Sequence, residues 1–134
     1  MPTVLIVDDS ESVRIAIRAL FEAEPEFSVA GEAVNGMDAI DKAEELSPDL
    51  IVLDLSMPIM NGLEAAESLK SSSPSTPIFI LTAHDGPEVD RAARAAGVNA
   101  VFSKGDDSDM EKMMSAARAA FGVTDHKKRP GKEK

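Results

Sequence analysis

Cysteine, tryptophan and tyrosine are all missing from this 134-residue chain, and histidine occurs only at positions 84 and 126. Without cysteine there are no disulfides and no thiolate metal sites, which excludes a cysteine-built zinc module and fits a reducing compartment. His84 and His126 give no sign of pairing, so imidazole ligation of a metal has little to draw on. No glycine-rich nucleotide loop is present. No apolar stretch approaches the roughly 20 residues of a membrane span. The chain enters an apolar run at Val4 without a basic segment or cleavage site. A cytoplasmic protein with no membrane partner is expected.

What is present is acidic and globular in composition, with 43% hydrophobic and 28% charged residues and a net charge of −10. The length fits one domain able to bury a core. Residues 126–134 carry a net charge of +4, which leaves −14 on residues 1–125. The folded part should therefore repel nucleic acid, and no DNA binding is expected of this segment alone. The basic tail reads as a solvated end or the stub of a linker, giving a domain over 1–122 and a tail over 123–134.

The run Leu50-Ile51-Val52-Leu53 has no polar face, the pattern of a parallel strand buried on both sides, and it ends in Asp54. Val4 to Val7 repeats the pattern and ends in Asp8-Asp9-Ser10, after which Val13, Ile17, Leu20 and Phe21 recur at helical spacing. Phe27, Val29, Gly31 and Ala33 alternate inward as a weaker edge strand. Asn35-Gly36 predicts a turn before a helix with Ile40, Ala43 and Leu46 on its apolar stripe; Pro48 closes it. After the central strand, 57–62 is a loop whose Asn61-Gly62 predicts a left-handed turn. A helix through Leu63, Ala66 and Leu69 follows, then a serine-rich surface connection over 71–75. Ile78 to Leu81 is a third doubly buried strand ending in Thr82. Pro87 starts a small-residue helix with Val89, Ala92, Ala93 and Ala96 on one face and Gly97 at its end. Ala100-Val101-Phe102 is a short last strand leading to Lys104, and Met110, Met113, Met114, Ala117 and Phe121 mark the last helix.

Five strands alternating with five helices imply a doubly wound α/β fold with a five-stranded parallel sheet. Order 2-1-3-4-5 puts both weak strands at the edges. Polar groups then end four of the five strands: Asp8-Asp9, Asp54, Thr82 and Lys104. In a parallel sheet those ends share one edge, where such folds bind ligands.

Taken singly, each residue has a plain structural role open to it. Asp8, Asp9 or Ser10 could cap the first helix, Asp54 could accept from loop amides, Thr82 could close a turn, and Lys104 could be a solvated charge. As a set they describe a site. Three crowded carboxylates raise one another's pKa unless a cation lies between them. An all-oxygen donor set suits Mg²⁺, with Mn²⁺ possible. Asp54 could then attack phosphorus as a carboxylate nucleophile, with Lys104 and the Thr82 hydroxyl contacting phosphoryl oxygens.

Asp8-Asp9, Asp54 with Met57-Pro58 and Asn61-Gly62 behind it, Thr82-Ala83 and Lys104, in this order, resemble the receiver domain of two-component response regulators over roughly 3–121. The stretch from Leu53 to Ala65 is most similar to receivers that precede a LuxR/NarL-type helix-turn-helix. The resemblance implies that Asp54 is the phosphoacceptor and that Asp9 binds Mg²⁺ directly. Asp8 would bind the metal mainly through water, and Asp54 and the Ser56 backbone carbonyl would complete the protein ligands. It implies phosphoryl contacts from Thr82, Ala83 and Lys104. Thr82 and Phe102 would form a switch pair, the ring turning inward as the hydroxyl moves to the phosphoryl group. The surface over 87–121 would then change its preference for a downstream protein or a C-terminal output domain, with a histidine kinase or phosphotransfer protein as donor. Gly105 follows Lys104 where the family commonly has proline, so a fixed cis bond is not expected there. Phe102 replaces a frequent tyrosine, and Ser56 and His84 lie where the family tunes dephosphorylation.

Three other readings follow from the same residues. A receiver acting by phosphorylation-independent protein binding is opposed by the intact acidic set. An aspartate-nucleophile phosphohydrolase would need a second acid two residues after Asp54, where Ser56 stands. Flavin binding at the same edge lacks aromatic stacking partners. The reading is thus of a signalling phosphoacceptor, not an enzyme beyond its own phosphorylation and dephosphorylation.

Overall fold

The computed structural model describes residues 1–57, 60–83, 86–104 and 106–123. Five strands, β1 (Thr3–Val7), β2 (Ser28–Ala33), β3 (Leu50–Asp54), β4 (Ile78–Thr82) and β5 (Ala100–Ser103), pair in parallel in the order β2-β1-β3-β4-β5. The helices between and after them are α1 (Glu11–Glu22), α2 (Gly36–Leu46), α3 (Gly62–Ser72), α4 (Pro87–Ala95) and α5 (Asp107–Ala120). Fold class and strand order agree with the reading of the sequence.

Strand side chains alternate between two apolar layers, as a pleated backbone requires. Leu5, Val7, Ile51, Leu53, Ile78 and Ile80 pack on one face with Ala39 of α2, Ala65, Ala66 and Leu69 of α3, and Ala93 of α4. Val4, Ile6, Leu50, Val52, Phe79 and Leu81 face Ile17 and Phe21 of α1 and Met113, Met114 and Ala117 of α5 on the other. Because β1, β3 and β4 are covered on both sides, they read as unbroken aliphatic runs. Continuing the alternation, Asp8 and Asp54 leave their strands on the α1/α5 side.

Several local expectations are corrected. Asn61 does not form a left-handed turn: it has extended backbone and caps α3, and Asn35, where the chain turns into α2, is likewise extended and caps that helix. The Asn35 side chain accepts from the Asp38 amide at 2.8 Å. Asn61 accepts from the Glu64 amide at 2.9 Å while Glu64 accepts from the Asn61 amide at 3.1 Å, a closed capping box. Edge strand β2 does not keep the expected alternation. Its register with β1 slips between Val4 and Leu5, so the inward set is broken by a bulge, only Ala33 is fully buried, and Phe27 precedes the strand. In α4, Ala93 is buried but Ala92 is exposed, and α3 runs on through Ser71 and Ser72. The expectations placed on Pro58, Gly105 and its peptide bond, His84 and 124–134 fall outside the described residues.

Gly62 is needed for space. A Cβ there would run into the Asp54 carbonyl oxygen and stand 2.8 Å from Leu55 Cα, both backbone atoms, while the Gly62 amide donates to the Leu55 carbonyl at 2.8 Å. Gly62→Ala is expected to cost about 2–3 kcal/mol through forced backbone displacement, read as a lowered urea midpoint. At the far end, α5 closes on Gly122 at φ 68, with the Val123 amide donating to the Arg118 carbonyl at 2.8 Å. Arg118 is itself buried and paired with Glu24 at 3.0 Å, which pins α5 to the loop after α1. Among the described residues no helix is long and apolar enough to cross a membrane.

Candidate functional site

The pairing of Val7 with Leu53 sets Asp8 level with Asp54 across adjacent strands. One ligand oxygen from each of Asp8, Asp9 and Asp54 falls within 4.8 Å of the others. Asp8 and Asp54 are buried and Asp9 is exposed, so the trio forms a pocket with two walls inside the protein and one at its mouth. Pairing of Asp54 with Leu81 puts Thr82 one residue beyond on β4, and Thr82 is buried. The Lys104 amide donates to the Thr82 carbonyl at 2.8 Å, which carries the end of β5 to the same edge. The Ser103 amide donates to Asp109 at 2.7 Å and fixes that end to α5.

The Lys104 ammonium bridges the two buried carboxylates, 2.8 Å from Asp8 Oδ2 and 2.9 Å from Asp54 Oδ1. Asp8 Oδ2 is enclosed, with the Lys104 ammonium against it. Its partner Oδ1 accepts from the Ser10 amide at 2.8 Å, and the Ser56 amide stands 3.4 Å from Asp54 Oδ1. Burial pushes the Asp54 carboxyl above the ordinary carboxylate range; Lys104 pulls it back and the charge on Asp8 raises it again. For Lys104, burial alone would favour the neutral amine, but its contacts with Asp8 and Asp54 outweigh burial and hold the ammonium above its usual pKa.

One cation against three carboxylates leaves a local charge of −2. That imbalance, the all-oxygen donor set and the enclosed Asp8 Oδ2 suit a hard divalent cation. Beside the trio, Asp9, Leu55, Ser56, Met57, Asn61 and Leu63 line an open depression of about 510 Å³. Ser56 thus lies at the mouth with Asp9.

The remaining expected residues fall as follows. Ala83 is exposed at the end of β4. The Phe102 ring is buried, edge-to-face on Phe79 with centroids 5.5 Å apart. Two contributors were not read from the sequence. The Ser10 amide orients Asp8, which the Asp-x-Ser spacing could have revealed as a local side-chain-to-backbone bond. Arg14 donates to the Asp8 carbonyl at 2.7 Å from the first turn of α1, a contact with no signature in one sequence.

Buried carboxylates sharing a lysine at the carboxyl edge of a doubly wound parallel sheet, with a hydroxyl residue alongside, are the equipment of a carboxylate phosphoacceptor module. The chain belongs to the response regulator receiver domain family, whose model matches residues 4–118. It is therefore a receiver domain of two-component signalling, a family that binds Mg²⁺ at an acidic pocket of this kind.

Among similar proteins, protein-glutamate methylesterase/protein-glutamine glutaminase 1 of Methanosarcina mazei is 37% identical over 81% of this chain and 31% of its own length. The nitrate/nitrite response regulator protein NarL of Escherichia coli is 36% identical over 88% of this chain and 54% of its own. The crystal structure of the response regulator domain of Thermotoga maritima CheB superposes with a TM-score of 0.84 at 26% identity, covering 93% of this chain and 99% of that one. The chain thus spans from 31% to 54% of the length of the curated relatives named here.

Proposed function

We propose that Asp54 receives a phosphoryl group from a phosphohistidine on a sensor kinase or phosphotransfer protein, in the cytoplasm, and that the modified domain changes the partner preference of the surface over 87–121. The observation that carries this reading is the convergence of Asp8, Asp9 and Asp54 around the Lys104 ammonium. In the transfer, an Asp54 carboxylate oxygen forms the new P–O bond as the P–N bond to imidazole breaks. The electron pair stays on the imidazole nitrogen, which takes up a proton. Lys104 leaves its carboxylate partners to meet the phosphoryl oxygens as a point charge, and Thr82 and the Ala83 backbone supply hydrogen bonds. Asp8, Asp9, Asp54 and the Ser56 carbonyl would hold Mg²⁺, or Mn²⁺ in its place. The bound cation supplies charge neutralisation for the incoming phosphoryl group.

The phosphoryl group brings about −1.5 to −2 charges to the sheet edge, which is the differential contact a two-state switch requires. Thr82 and Phe102 are assigned as the pair that responds. The NarL-like and methylesterase-like similarities leave the output open between a DNA-binding and an enzymatic domain. The receiver is assigned to 1–122, with 123–134 as a basic tail or linker stub, and the net charge of −14 on 1–125 argues against DNA binding by this segment.

Phosphoramidate, a small P–N donor, tests the reading. With Mg²⁺, the chain is expected to take up one phosphoryl group and to consume donor no faster than its own acyl phosphate hydrolyses. Rapid multiple turnover of a phosphomonoester would favour a phosphohydrolase. No uptake under any condition would promote phosphorylation-independent binding.

A further inference from the structure

We infer that Arg14 is a positioning residue for the metal site: its guanidinium, oriented by Glu32, holds the Asp8–Asp9 peptide so that Asp9 faces the other two carboxylates. The inference rests on the proposed Mg²⁺ site. Arg14 Nη1 donates to the Asp8 carbonyl oxygen at 2.7 Å, and its Nε donates to Glu32 Oε1 at 2.8 Å. Its side chain is only 13% exposed.

That carbonyl belongs to the peptide linking Asp8 to Asp9, so its direction fixes the plane from which Asp9 departs. Asp8 is otherwise well held: its amide donates to the Ala33 carbonyl at 3.0 Å and its Oδ1 accepts from Ser10. Asp9 is exposed, and among the described residues no hydrogen bond restrains its carboxylate. A rotation of the intervening peptide would therefore move Asp9 and leave Asp8 in place. Arg14 is the group that resists this rotation.

Glu32 makes the arrangement work in two ways. It accepts from Nε, which fixes the guanidinium plane, and its charge offsets that of Arg14 next to a site that must attract a cation. Glu32 is anchored in turn by Arg18, whose Nε reaches Oε2 at 2.7 Å. Arg18 touches no backbone of the site, so it is the natural control. A lysine at position 14 could reach one acceptor but not present two fixed donors.

The test is calorimetric titration of the intact chain with MgCl₂, together with amide chemical shifts of Asp9 and Ser10, for wild type, Arg14→Met, Arg14→Lys and Arg18→Met. Groups that orient metal ligands typically contribute about 10–100-fold in affinity. Arg14→Met is expected to weaken Mg²⁺ binding about 10-fold, Arg14→Lys less, and Arg18→Met, which reaches the site only through Glu32, least of the three. Phosphorylation of Arg14→Met by acetyl phosphate should be slow at low Mg²⁺ and recover at saturating Mg²⁺.

Unchanged Mg²⁺ affinity in Arg14→Met, or equal weakening in Arg18→Met, would overturn the inference while leaving the metal site standing. Should Arg14→Met fail to fold, Arg14→Lys decides it: wild-type affinity there overturns it, and weakened affinity supports it. A wild-type chain that binds no Mg²⁺ would overturn the metal reading itself, and this inference with it.

Discussion

Lys104→Met is expected to destabilise the metal-free chain by about 3 kcal/mol at neutral pH, the lower end of what breaking a buried ion pair costs. The ammonium touches Asp8 and Asp54 at 2.8 and 2.9 Å, and its removal leaves two buried carboxylates side by side with no cation. The lower end applies because the Lys104 side chain is 22% exposed, so water reaches one side of the cluster. The pH dependence has a definite sign. Asp54 titrates above its ordinary value in the folded chain, so the cost of its buried charge is present at neutral pH and disappears as pH falls through that raised pKa. The deficit should therefore shrink under mildly acidic conditions, and shrink again on adding Mg²⁺ at neutral pH. In the wild type, Lys104 titrates above its unfolded value, so its contribution is full below that value and is lost as pH rises through the folded pKa. Urea unfolding of both proteins at acidic, neutral and alkaline pH, and at neutral pH with and without Mg²⁺, measures these effects.

Asp54→Asn should act in the opposite direction on stability and end the chemistry. The amide keeps the shape of the carboxylate but carries no charge and does not attack phosphorus, so phosphoryl uptake is expected to fall to background. Without metal, removing a carboxylate whose ionised form is disfavoured by burial should raise the urea midpoint modestly. With Mg²⁺ at 100 times its dissociation constant, the wild type gains about 2.7 kcal/mol by mass action, and the variant, short of one ligand and one charge, gains much less. The stability order should thus reverse between chelator and Mg²⁺. A variant less stable than wild type under both conditions would contradict the assigned balance of charge.

The central strands were legible because double burial leaves no polar position: 50–53 and 78–81 could hardly be anything else in a chain of this length. The site was legible for a related reason, since a polar residue after such a run must sit at a strand end, and the topology then gathers the ends. Asn61-Gly62 misled because the same dipeptide serves turns and helix caps. Glu64, three residues after Asn61, was the signal for the cap. The β2 bulge was hidden because Ser28 to Ala33 offers small side chains that fit either face. Arg14 was invisible because its contact with Asp8 depends on how α1 leaves the loop, which spacing along the chain does not encode. Arg118 was hidden likewise, its partner Glu24 lying 94 residues away.

The proposed acceptance of a phosphoryl group by Asp54 depends on a divalent cation. Its most direct measurement is the intact mass of the wild-type chain after incubation with acetyl phosphate, in Mg²⁺ and in chelator, with Asp54→Asn alongside. One added phosphoryl group, stable in acid and labile in base, is expected in the wild type with Mg²⁺ and in neither other sample. Full phosphorylation of Asp54→Asn, or none of the wild type with Mg²⁺, would contradict it.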